Sequence, residues 1–321
     1  MKSLEELTEL YETQLKPQLL SMEQLRKSIF IRFILSFLGI LAAIFVAAAL
    51  SQGNMAIIIA AVALIIACIV VIVKTAKMER QYRTQFKQNV VGEIVKQIDP
   101  GWNYEPNYYM PQDDYRSSGL FRQKVDRYKG DDMVYGVVDK TDFRMSELHT
   151  EYKTITVDDK GKAKETWHTI FKGLFAHADF NKELKGQTYV LPDTAERIFG
   201  KWGQKLQRGN VHGDLVKLEN PEFEKLFVVY GSDQIEARYI LTPGMMEAMV
   251  DIRKRYDREM YFSFVGSRVY VAMSFSKNLF EPRIIRSGVR FKDVKQMYYQ
   301  FSLVTAIIDE MNLNTRIWTK D

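Results

Sequence analysis

Two apolar runs, residues 33–50 and 55–73, stand near the N-terminus and contain no Asp, Glu, Lys, Arg or His between them. At 1.5 Å per residue each reaches across a hydrocarbon core of ~30 Å as a helix. Only Ser51-Gln52-Gly53-Asn54 separates them. So short a polar, glycine-containing connection makes the two helices antiparallel, and both ends of the hairpin emerge on one side. Uninterrupted apolarity around the whole helix also argues against two buried helices of a soluble protein. A secretory signal fits poorly too. The segment before the first run is long and rich in glutamate, and the run exceeds the ~7–15 apolar residues of a signal core.

Orientation follows from the flanks. Lys16, Arg26, Lys27 and Arg32 precede the first run; Lys74, Lys77, Arg80, Arg83 and Lys87 follow the second; the turn has no basic residue. Basic residues in short flanks stay on the cytoplasmic side. The chain is therefore expected to be a multi-pass protein of the cell inner membrane with both termini cytoplasmic and the lipid bilayer as its first partner. Residues 1–98 hold 11 of the 45 basic and 7 of the 40 acidic residues, a net of +4, which leaves +1 for the remainder. A near-neutral remainder argues against a nucleic-acid partner, whose phosphates demand a basic patch on the folded domain. The apolar runs carry no ionisable side chain, so no proton relay or ion path is visible. Cys68 is the single cysteine, which excludes a disulfide framework and a CxxC motif.

The expected organisation is a cytoplasmic helix over residues 1–28, a transmembrane hairpin over 29–73, a stalk helix over 74–98 and a globular α+β domain with an antiparallel sheet over 99–321. Leu4, Leu7, Leu15, Leu19 and Met22 place an apolar face on the first helix, which Pro17 kinks or divides. Met78, Tyr82, Phe86, Val90, Ile94 and Ile98 recur every fourth residue, giving the stalk a stripe that ends at Asp99-Pro100-Gly101. The two stripes are expected to pair, and residues 99–321 to fold independently.

Within residues 99–321 the aromatic-rich stretch 99–119 reads as a packed loop. Strands are expected over 134–138, 143–157 and 166–171, with a hairpin of 261–265 and 268–275 about Gly266-Ser267. The mixed polar stretch 234–239 also reads as a strand, with Glu236 and Arg238 on one face. Thr242-Pro243 caps a helix running to about Tyr256. Further helices are expected over 193–199 and 291–312.

Several runs taken together resemble a known family: Ser146-Glu147-Leu148-His149, Phe171-Lys172-Gly173-Leu174-Phe175, Ala178-Asp179-Phe180-Asn181-Lys182, Pro221-Glu222-Phe223-Glu224, Asp233-Gln234-Ile235-Glu236-Ala237-Arg238-Tyr239 and Asn278-Leu279-Phe280-Glu281-Pro282. With the N-terminal hairpin they are similar to the bacterial family DUF3137, over most of residues 110–285. The resemblance implies a bacterial inner-membrane protein and supplies no activity or cofactor.

The residues offer few catalytic patterns. GxSxG, P-loop, HExxH and GxGxxG motifs are absent. His177 and Asp179 are alternate residues on a strand, so they share a face; with His168 nearby they form the one candidate metal set. The weaker His212-Gly213-Asp214 reads as a turn before a strand. Asp113-Asp114, Asp131-Asp132 and Asp158-Asp159 adjoin turn residues and read as solvated turns. Two functions follow as expectations. The first is a membrane-anchored interaction or scaffold module with an inner-membrane or cytosolic protein partner. The second is a membrane-tethered metal-assisted hydrolase built on His177 and Asp179.

Overall fold

The computed structural model describes residues 3–49, 53–157, 161–193, 212–311 and 313. The chain divides into two compact units: one holds residues 2–97 and 280–298, the other 98–279 and 299 onward. The division is not a single break near residue 99. Residues 280–298 leave the sheet-bearing part of the chain and join the N-terminal helices.

In the helical unit, α1 (Leu4–Leu10) starts at Ser3, whose hydroxyl accepts from the Glu6 N–H while the Glu6 carboxylate accepts from the Ser3 N–H. This reciprocal pair satisfies two donors that a helix start leaves open. One π-helical turn, Tyr11–Leu15, leads into α2 (Lys16–Ala49). Pro17 therefore does not divide the helix. Proline has no N–H to offer the carbonyl four residues back, and the widened turn lies immediately N-terminal to it. Asn54 caps α3 (Met55–Phe86), which continues through a second π-helical turn, Lys87–Val91, into α4 (Gly92–Ile98). Leu4–Ala49 and Met55–Ile98 are thus two continuous helical arms, each long and apolar enough to cross a membrane.

Beyond the apolar runs the expected stripes are buried: Leu7, Leu15, Leu19 and Met22 on one arm, Tyr82, Phe86, Val90 and Ile94 on the other. The π-helical turn adds Val91 and Val95 to the second stripe. Gln97 Nε2 lies 3.4 Å from Gln14 Oε1, tying the arms together. Residues 280–298 supply the rest of this small core with Phe280, Val294 and Met297. Tyr11 packs on Phe291 with ring centroids 5.3 Å apart. Charge fastens the segment as well. Glu281 pairs with Arg83 and, at 3.1 Å, with buried Lys87. Arg26, held by Glu23 at 2.8 Å, donates to the Ile284 carbonyl at 2.5 Å.

Among the described residues, the sheet unit is built on nine antiparallel strands in the order β1-β2-β3-β4-β9-β8-β5-β7-β6. They are β1 (Asn103–Glu105), β2 (Arg127–Val138), β3 (Thr141–Val157), β4 (Ala163–Asp179), β5 (Gln187–Pro192), β6 (Asp214–Leu215), β7 (Phe227–Gly231), β8 (Met260–Val265) and β9 (Arg268–Ser274). A short helix α5 (Gln112–Ser117) precedes β2, and α6 (Pro221–Glu224), α7 (Gln234–Ile240) and α8 (Pro243–Tyr256) follow β6 and β7. Thr242 caps α8 by accepting from the Met245 N–H. The apolar alternation of the β8–β9 hairpin buries Phe262, Phe264, Val269, Val271 and Met273. On the sheet, Tyr115, Phe171, Phe175, Tyr189 and Tyr270 form an aromatic core with Met110 and Leu148. Tyr115 lies in the stretch that packs α5, so residues 99–119 are ordered structure.

Three local expectations change. Residues 234–239 are helix, not strand, because Asp233 accepts from the Ile235 and Glu236 N–H groups at 2.8 and 3.0 Å and starts α7 there. Glu236 and Arg238 do not pair across a sheet: Glu236 accepts the N–H groups of Lys185 and Gly186, and Arg238 bonds Gln234. The last helix is two, α9 (Phe291–Phe301) and α10 (Leu303–Glu310), meeting at Ser302. The helix expected over 193–199 falls almost entirely outside the described residues.

Candidate functional site

His177 sits in β4 opposite Tyr270 of β9 and Arg144 of β3, with about 5% of its surface exposed. Arg268 donates from Nη1 to His177 Nδ1 at 3.1 Å and to Asp142 Oδ2 at 2.7 Å. Since guanidinium only donates, Nδ1 must hold the lone pair and Nε2 the proton. Nε2 faces Asp114 Oδ2 at 3.7 Å. Burial, reinforced by the Arg268 charge, lowers the imidazole pKa to about 4 against the pull of Asp114 and Asp142. The ring is neutral at pH 7, and its single lone pair is occupied.

Asp179 lies two residues on, where its Oδ1 accepts from the Asn181 N–H at 3.1 Å. His168 is nine residues back on the same strand, which at ~3.3 Å per residue puts it ~30 Å away. There it stacks on Tyr152 and bonds Thr154 Oγ1 at 2.9 Å. The set His168, His177 and Asp179 is therefore not assembled: one continuous strand, β4, holds His168 far from the other two. His149 lies near Thr169 and Glu151 in β3 and β4, apart from the other histidines.

Among the described residues, the acidic side chains that gather their oxygens within 4.8 Å are Asp131, Asp132 and Glu147. Asp131-Asp132 is not a solvated turn. It occupies a bulge in β2, with Asp132 buried at a positive φ of 57°. The Tyr104 hydroxyl donates to Asp132 at 2.5 Å and the Leu279 N–H to Glu147 at 2.9 Å. Those donors stabilise the two buried carboxylates, as burial requires. Asp113-Asp114 opens α5 rather than a turn, and Asp158-Asp159 lies outside the described residues.

A cavity of about 510 Å³ opens between the end of α5, the loop 119–125 and β5. Arg116, Arg122 and Lys124 line it, and among the described residues none that lines it is acidic. Its floor is Tyr189, against which Gly119 is set: a Cβ at Gly119 would stand 2.4 Å from the Tyr189 hydroxyl, and its φ is +64°. His212 meets the Tyr189 ring edge-on at 4.5 Å and bonds the Gly119 carbonyl at 3.1 Å. Burial and the Arg122 charge lower the His212 pKa to about 4. Nothing in the sequence pointed to this place. Its cations are spread over the end of α5 and the irregular chain between α5 and β2, and Gln187 and Tyr189 arrive from β5, far along the chain.

Residues 169–313 match the DUF3137 family, described as a protein of unknown function. The resemblance holds. The matched segment runs from β4 to α10, and so contains Gly173, His177, the capping residues Asp233 and Thr242, and Glu281. A crystal structure of the mycobacterial trehalose monomycolate transport factor A, TtfA, is similar at 12% identity, over 68% of this chain and 94% of that one, with a TM-score of 0.32. A likeness at that score carries no argument about fold or role. No curated protein matches the chain.

Proposed function

We propose that the chain is a membrane-anchored interaction module, its two apolar helices spanning the bacterial inner membrane and its sheet unit engaging a protein or small ligand at the cytoplasmic face. One observation carries the anchor. The most apolar windows of the two arms have mean hydropathies of 2.6 and 3.5, yet only 17% and 11% of them is buried within the chain. The core helix of a soluble protein would be mostly covered. Here Leu35, Phe37, Leu38, Phe45, Ile59, Ile66 and Val73 present a continuous apolar surface, far beyond the few hundred Å² that a soluble monomer exposes. Lipid satisfies such a surface, and helices satisfy their own backbone there.

The basic flanks then orient the hairpin with the 51–54 turn outside. The interaction role rests on what the sheet unit holds: a basic cavity and buried polar networks. His177 is buried and its one lone pair accepts from Arg268, an arrangement suited to structure more than to hydrolysis. A reporter enzyme fused after Asp321 is expected to report the cytoplasm, and one inserted between Gln52 and Gly53 the exterior. Labelling of a Lys320→Cys variant by an impermeant reagent in intact cells overturns this orientation. Extraction of the chain from membranes by alkaline carbonate overturns the anchor itself.

A further inference from the structure

We infer that the cavity between α5 and β5 binds a phosphate-bearing ligand, and that Arg116, Arg122, Lys124 and Gln187 hold its phosphate. The inference goes beyond the membrane-anchored reading and is independent of it, since every residue it uses lies in the sheet unit.

Charge is the first reason. Among the described residues the lining carries three cations and no carboxylate, so these walls focus a field of one sign. Among the described residues neither Arg116 nor Arg122 has a carboxylate partner, and both are exposed. Lys124 does have one: its Nζ is 3.3 Å from Asp126 Oδ1. That carboxylate is also committed to the Lys153 N–H at 3.0 Å, and Asp126 does not line the cavity. Unpaired arginines in most surfaces simply face water. Here they converge on a concavity whose volume falls in the ~300–1,000 Å³ range of ligand sites.

Hydrogen-bond direction is the second reason, and it is independent of the charge. Arg122 Nη2 lies 3.4 Å from the Tyr189 oxygen, with the guanidinium 5.8 Å from the ring centroid. A guanidinium can only donate, so the Tyr189 oxygen accepts, and its proton goes to Gln187 Oε1 at 2.7 Å. With Oε1 occupied, the Gln187 amide presents its NH2. The relay thus leaves donors facing the cavity, where an anion's oxygens would accept them. The floor is also fixed: Gly119 admits Tyr189 where any Cβ would meet its hydroxyl. A tetrahedral oxyanion with several acceptor oxygens matches cations and donors of this number; bidentate arginine contact is the strong form of that match. The phosphate could belong to a free small molecule or to a lipid headgroup, and the two sources share this chemistry.

The test is calorimetric titration of the full chain in phosphatidylcholine nanodiscs with inorganic pyrophosphate. Saturable binding that weakens with added salt is expected. Arg116→Gln and Arg122→Gln should each weaken it about tenfold, the loss of one charge-assisted contact, with unchanged melting temperature in Arg116→Gln, whose side chain is exposed. Gln187→Glu, which places a carboxylate where the NH2 stands, should abolish it. Repeating the titration in nanodiscs containing phosphatidylglycerol separates the sources. Unchanged affinity assigns the site to a free ligand. An affinity reduced in the wild type but not in Arg122→Gln assigns it to a lipid headgroup. Absence of pyrophosphate binding in neutral nanodiscs, or binding that all three substitutions leave intact, overturns the inference.

Discussion

Replacing Gly173 by alanine should be among the most damaging single-methyl additions this protein can receive. Gly173 lies in β4 opposite Leu148 of β3 and Ser274 of β9, in the middle of the sheet order. Its φ is +152°, and a Cβ there would stand 2.0 Å from the Met273 carbonyl oxygen and 3.0 Å from the Phe275 nitrogen. Both are backbone atoms of the neighbouring chain, so no side-chain rotation relieves the clash. Either β9 withdraws by about 1 Å or β4 changes its dihedrals. Withdrawal breaks the bond from the Phe275 N–H to the Lys172 carbonyl, now 2.8 Å, and one of its neighbours. Two such bonds at ~1 kcal/mol each, with ~1–3 kcal/mol of backbone strain, give about 3–5 kcal/mol. At ~2–4 °C per kcal/mol for a domain of this size, the melting temperature should fall by roughly 6–20 °C. Gly266→Ala is the control: φ is +60° but nothing lies within 4 Å of the added Cβ. It should cost only the left-handed penalty of about 1–2 kcal/mol. Near-ultraviolet circular dichroism of the full chain in detergent measures both. If Gly173→Ala melts no lower than Gly266→Ala, close approach between β4 and β9 is not what this glycine serves.

Stability should also fall with pH in a defined window. His177 and His212 both titrate near 4 when folded and near ~6.5 when unfolded. The unfolded chain therefore binds more protons between these values, so their contribution is present above about pH 6.5 and is lost as pH falls towards 4, at up to ~1.4 kcal/mol per pH unit for each ring. Urea denaturation at pH 7 and 4.5 should show the loss, and His177→Gln should lessen it; equal pH dependence in the variant refutes the assignment. A fragment of residues 99–321, separated from the helices, should self-associate, because Phe280, Val294 and Met297 lose the core they occupy in the helical unit. A monomeric, cooperatively melting fragment in light scattering and calorimetry would contradict this. Phe86→Asp, at a side chain 3% exposed, should cost at least the ~3–5 kcal/mol of a large core truncation and make the helical flanks sensitive to protease while membrane insertion persists. Unchanged protease resistance would show that the stripe is dispensable.

The elements legible in the sequence were those whose signal is local. The apolar runs, the cap at Thr242, the Gly266-Ser267 hairpin and the fourfold stripe from Tyr82 to Ile94 are each set by neighbours within a few residues. Periodicity and turn chemistry report such elements directly. Residues 234–239 show where that reading fails: six polar and apolar residues suit a strand, and one capping aspartate before them selects the helix instead. The candidate site was less legible still. His177 and Asp179 do share a strand, but the residues around His177, namely Arg268, Asp142 and Asp114, come from three other elements, and burial there with the Arg268 charge keeps the imidazole neutral against the pull of the two carboxylates.

The sequence by itself determined that two long apolar helices stand near the N-terminus and that an antiparallel sheet follows them, because both are written in composition and period. Tertiary structure decided which distant residues meet. It returned residues 280–298 to the helical unit, where Glu281 faces Arg83 and Lys87, and it set Gln187 and Tyr189 of β5 beside Arg116 and Arg122. Pairings of that kind carry no periodic signature. They depend on strand order and on chain crossings between units, which a linear pattern of polar and apolar residues does not encode.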